Sequence, residues 1–155
     1  MENVWDYPRP PALVPCTRRV RIVLGGAPIA ESTRALRVLE TSHPPSIYVP
    51  PEDFAPSALG PSAAPQTFCE WKGSAVYHDL VAPSGTVARA AGWSYPDPAP
   101  AYADLRDFVS VYPGRVGACY LDDERVAAQE GDFYGGWVTR DITGKMKGGP
   151  GTWGW

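Results

Sequence analysis

Apolar residues in this chain come in short runs, each broken within a few positions by proline, glycine or charge, which predicts strands rather than long helices. Val20-Arg21-Ile22-Val23-Leu24 reads as a strand, Gly25-Gly26 as a tight hairpin turn, and Pro28-Ile29-Ala30-Glu31 as the returning strand. Ser32 to Glu40 fits either one helical turn or a strand, and the β pattern on both sides favours strand over Arg37–Glu40. Ile47-Tyr48-Val49 is a short strand ended by Pro50-Pro51, and residues 54–66 form a Pro/Ala/Ser loop. Further strands are expected at Thr86–Trp93, Phe108–Tyr112 and Val116–Leu121, with Asp122-Asp123 as a hairpin loop before Arg125. Tyr102–Val109 is the best helix, because Tyr102, Leu105 and Phe108 recur at helical spacing.

The densest chemistry lies in Phe68–His78. Read as extended chain, Cys69, Trp71, Gly73, Ala75 and Tyr77 share one face, and Glu70, Lys72, Ser74, Val76 and His78 the other. Gly73 marks a bend or a place where something approaches the backbone closely. Ser74–Val81 is then the continuation of this strand or its hairpin partner.

The two ends differ from the middle. Residues 1–19 carry Pro8, Pro10, Pro11 and Pro15, so they form an extended arm anchored by Trp5 and Tyr7. Residues 129–155 are rich in glycine but hold Trp137, Trp153 and Trp155, which favours a tail docked on the core over a free one.

A chain of 155 residues with 44% hydrophobic and 20% charged content suits a single domain with a real core. The 18 prolines and 16 glycines call for many turns. A net charge of −3 and no basic run beyond Arg18-Arg19 argue against a nucleic-acid partner. Cys16, Cys69 and Cys119 are scattered and odd in number, which fits a reduced, cytoplasmic protein without a structural zinc site. No apolar run has the length of a membrane span, so no membrane partner is expected.

Taken in order, Ile29-Ala30-Glu31-Ser32, the strand ending in Glu40, Tyr48-Val49-Pro50-Pro51-Glu52-Asp53, Cys69-x-Trp71-Lys72-Gly73-x-Ala75-x-Tyr77 and Trp93-x-Tyr95-Pro96-x-Pro98 resemble the domain of unknown function 427 family. The resemblance covers about residues 20–128, with the two ends as arms of longer members. It implies a compact, mainly β fold of antiparallel strands, two-sheet and barrel- or tent-like, with one short helix. It also implies kinship with small β-tent domains that hold ligands between sheets, minus their cysteine-based zinc site, so no cofactor is expected. The family is filed under a nucleotidyltransferase label as well. That chemistry needs a Gly-Ser turn before paired acids that hold magnesium, whereas Gly73-Ser74 leads only to Val76-Tyr77-His78-Asp79.

Candidate site residues follow from residue type. Lys72, in a strand near the core, should reach solvent, pair with Glu40 or Glu31, or line a polar pocket. Glu40 ends an apolar strand and is a candidate acid or base, which makes Lys72 and Glu40 the candidate catalytic pair. Trp71, Tyr77, Trp93 and Tyr95 could wall a ligand site, since tryptophan and tyrosine carry a polar handle where core meets ligand. Cys69 joins them as a nucleophile or, with more weight, as a small buried hydrophobe. His43 reads as an exposed turn residue, with a mixed metal site of His43, Glu40 and Asp53 as a weak option. The leading reading is an unidentified small molecule in an aromatic pocket. The alternative is a non-catalytic interaction module built on the arms, which also offer a surface for self-association; a nucleotidyltransferase ranks last.

Overall fold

A computed structural model describes residues 1–131, 133–152 and 155. Two antiparallel sheets hold most of the strands, beside two short pairs, Glu2–Asn3 parallel to Ile142–Thr143 and Ala127–Ala128 antiparallel to Trp137–Val138. The larger runs in the order Ala12–Pro15, Leu36–Leu39, Ser46–Val49, Val109–Val111, Val87–Ser94, Gly73–Val81 and Leu59–Pro61, with Thr67–Cys69 also paired to Gly73–Val81. The smaller runs Glu124–Arg125, Ala118–Leu121, Val20–Leu24, Ala27–Ser32. Neither sheet closes into a barrel.

The Gly25-Gly26 turn stands where the sequence places it, with both glycines at positive φ (59° and 78°) as a two-residue hairpin requires. Three expectations shift. The strand Ala12–Pro15 comes from the stretch read as an arm and forms the edge of the larger sheet. The expected helix over 102–109 is a tighter 3-10 segment, Pro100–Leu105, opened by a proline and kinked at Tyr102, and the chain is strand again from Val109. The alternation expected over residues 68–78 stops at a turn, Glu70-Trp71-Lys72, and of the two readings of Ser74–Val81 the hairpin partner is the one found.

The larger sheet is buried on both faces. Ile47 and Val49 point into an aliphatic core shared with Ile22, Ile29, Leu80, Val109 and Val111. Tyr48, between them, points the opposite way, as the period of a strand demands, into a second cluster with Val38, Trp93, Tyr95, Tyr102 and Tyr112. In that second face one row crosses five strands in register: Leu36, Tyr48, Ser110, Trp93 and Tyr77.

The chain ends pack onto this body. Trp137 is buried in the aliphatic core, its indole N–H donating to the Val111 carbonyl at 2.9 Å. Val4, Tyr7 and Ile142 form a third small cluster. Trp5 meets the ring of Trp155 edge-on at 5.1 Å, while Trp153 lies outside the described residues. Among the described residues no helix is long and apolar enough to cross a membrane.

Candidate functional site

The aromatic face of the larger sheet is the floor of a cavity of about 330 Å³. That volume is at the small end of the range for small-molecule sites. Cys69, Trp71, Lys72, Tyr77, Trp93, Tyr95 and Glu40, named above from sequence, all line it. Tyr48, Tyr112 and His43 line it too.

The floor depends on a small residue. Tyr48 and Trp93 sit on strands separated by Val109–Val111, and the residue between them in register is Ser110. Its short side chain leaves the two rings free to meet above it. The Trp93 indole N–H donates to the Tyr48 hydroxyl at 3.1 Å, with ring centroids 6.0 Å apart and nearly perpendicular. Burial raises the pKa of Tyr48, Tyr95 and Tyr112 above the ordinary tyrosine value, so all three keep their hydroxyl protons at neutral pH.

Lys72 owes its place to the hairpin turn. Strict alternation would aim it away from Cys69, but Glu70, Trp71 and Lys72 form the turn, where alternation stops. Gly73 leaves the turn at φ +110°, a conformation that strongly favours glycine, and a Cβ there would stand 3.3 Å from the Asp97 carbonyl. The Lys72 carbonyl accepts from the Ala99 N–H at 2.9 Å, which fastens the turn to the Pro-rich segment after Trp93. Lys72 as a whole is only 7% exposed, and its ammonium stands 5.9 Å from the Tyr95 ring centroid.

The expected Lys72–Glu40 ion pair does not form: among the described residues no carboxylate lies within 4 Å of the Lys72 ammonium. Glu31 is exposed in the smaller sheet, opposite Arg21. Glu40 faces His43 instead, Oε2 to Nε2 at 3.9 Å.

His43 is the main departure from the sequence reading. It is largely buried, not an exposed turn residue, and packs edge-on against Tyr134 at 5.0 Å. Burial, with the positive charges of Lys147, Lys72 and Arg9, lowers its pKa to about 4. The Gln129 amide fixes the tautomer. Its oxygen accepts from the Gly136 N–H at 3.1 Å, and its nitrogen donates to the Lys147 carbonyl at 2.7 Å and to His43 Nδ1 at 3.2 Å. His43 Nδ1 is therefore an acceptor, and Nε2 carries the proton toward Glu40.

Asp53 is elsewhere, bonded to Ser32 and Arg34, so it does not join His43 and Glu40. Among the described residues no three His, Cys, Asp or Glu side chains stand close enough to hold a metal ion. Gln129, Tyr134 and Lys147 were not singled out from sequence, because a glutamine, a tyrosine and a lysine in a Gly-rich stretch have no spacing that marks a site. Tyr48 did carry a signal: an aromatic with a polar tip, flanked by β-branched residues, on the opposite face of a buried strand.

The family model described as domain of unknown function (DUF427) matches residues 12–122. No curated protein matches the chain.

Proposed function

The chain belongs to the DUF427 family, and we propose that it is a small-molecule-binding protein whose cavity takes a flat, mostly apolar organic acid. The observation that carries this is Lys72, a residue only 7% exposed whose ammonium lines the cavity beside an aromatic floor, with no carboxylate within 4 Å among the described residues. A lysine ammonium with no carboxylate partner favours an anion that enters the cavity beside it. A ligand carboxylate at Lys72 supplies that anion, while the ring of the ligand lies against Trp93, Tyr95 and Trp71. The protonated Tyr95 hydroxyl adds a donor, not charge, which favours an acid over a cationic ligand.

Within the same reading, Glu40 and the neutral His43 are the groups able to move a proton, with Nε2–H of His43 toward Glu40. A second reading, a non-catalytic interaction module, draws on Phe68 and Phe133, which are 75% and 61% exposed beside the cavity.

Isothermal titration with 2-naphthoate and with its neutral isostere 2-naphthamide tests the proposal. The acid should bind at least about tenfold more tightly than the amide, the worth of one charge-assisted contact. Equal affinity for both, or no binding of either, rejects the acid pocket and leaves the interaction module.

A further inference from the structure

The family-matched part of the chain stops at residue 122, yet one side of the cavity is built from residues beyond it: Gln129, Phe133, Tyr134, Gly135 and Lys147. We infer that this segment is the specificity-determining wall of the pocket, closing one side of it and setting the size of molecule that enters. The inference deepens the acid-pocket reading and rests on it for the ligand, but the wall itself stands on separate contacts.

Those contacts pin the segment from several directions. The Tyr112 hydroxyl donates to the Phe133 carbonyl at 3.1 Å. The Trp137 N–H donates to the Pro45 carbonyl at 2.7 Å, and the buried Trp137 indole anchors the segment in the core. Gln129 ties His43, Gly136 and the Lys147 carbonyl together. Four fixed points along so short a stretch describe a wall, not a tail resting on a surface.

The closest approach is at Gly135. A Cβ there would stand 2.3 Å from the edge of the Trp93 indole and 3.2 Å from the Tyr112 ring. Gly135 is not in the left-handed region, so it is glycine for space and not for backbone freedom. Its backbone lies directly on the aromatic floor and limits how far a ring can extend over Trp93. Tyr134 beside it fills the space between His43 and Lys147, with the Lys147 ammonium 5.5 Å from its ring centroid.

Cys69, partly exposed to the cavity, reports on the wall without any ligand. The rates at which the full chain adds N-ethylmaleimide and N-(1-pyrenyl)maleimide at Cys69 would be read by peptide mass spectrometry. Both would be divided by the rates with N-acetylcysteine, and the buried Cys16 and Cys119 would serve as controls for unfolding. In the unaltered protein the small reagent should be favoured at Cys69 by at least about tenfold. Tyr134→Ala, which leaves the backbone alone, and Gly135→Ala, which pushes the segment off Trp93, should each remove most of that preference while Cys16 and Cys119 stay unreactive. A size preference unchanged in both variants, or none in the unaltered protein, overturns the inference. The outcome of the 2-naphthoate titration is separate: masking of Cys69 that depends on the wall, with no acid bound, keeps the wall and rejects the ligand.

Discussion

Trp93 and Tyr48 bond to each other across an intervening strand, indole N–H to hydroxyl at 3.1 Å, above a Ser110 whose own hydroxyl is buried without a hydrogen-bond partner among the described residues. The arrangement makes opposite predictions for neighbouring positions. Tyr48→Phe leaves the buried indole N–H unsatisfied and should cost about 1–2 kcal/mol. Ser110→Ala removes an orphaned hydroxyl and keeps the gap between the rings, so stability should hold or rise by up to about 1 kcal/mol. Urea unfolding measures both; a Ser110→Ala loss above about 1 kcal/mol would show the hydroxyl to be bonded.

Trp137 tests whether the C-terminal segment belongs to the fold. It is 1% exposed and donates to Val111 in the middle of the larger sheet. Trp137→Ala should cost about 3–5 kcal/mol from lost burial and the cavity left behind. A loss below about 1 kcal/mol in chemical denaturation would mean that the segment contributes little to the core.

The pH dependence of stability follows from His43. Its folded pKa of about 4 lies below the ordinary histidine value of about 6.5. Above pH 6.5 both folded and unfolded forms are neutral and His43 contributes no slope. As pH falls from 6.5 to 4, only the unfolded chain takes the proton, so stability drops, by about 3 kcal/mol in all, and then levels off. His78, whose pKa burial also lowers, adds to the same trend. The lowered carboxylates, Asp53 and Asp141 among them, act at lower pH, because their stabilisation is present above the ordinary carboxylate pKa and lost as they protonate. His43→Asn, whose amide oxygen can still accept from Gln129, should flatten the stability curve between pH 6.5 and 4.5. An unchanged curve would mean that His43 titrates normally.

The sequence made the β architecture readable where local rules suffice. Gly25-Gly26 needs positive φ, Ile47-Tyr48-Val49 splits by strand period between two cores, and Trp71, Tyr77, Trp93 and Tyr95 do gather on one face. The reading broke where residues far apart decide the outcome. Alternation aims Lys72 away from Cys69 only in a continuous strand, whereas the chain turns at Glu70–Lys72 and brings the side chain to the cavity. His43 looked exposed because what buries it, Tyr134 and Gln129, arrives from about ninety residues downstream in a stretch without periodicity. Tyr102–Val109 kept helical spacing, yet Pro100 and the return to strand at Val109 left room only for a short 3-10 segment.

Lys72→Met removes the cation proposed to receive the anionic end of a flat ligand. Methionine keeps most of the apolar contact of the lysine stem and removes only the charge, so the fold should persist, with an unchanged circular dichroism spectrum. In calorimetric titrations the variant should bind 2-naphthoate at least about tenfold more weakly than the unaltered protein, on the order of 1.4 kcal/mol. Its affinity for 2-naphthamide should be the same as before. A Lys72→Met protein that binds the acid as tightly as the original would rule out Lys72 as the partner of the anion.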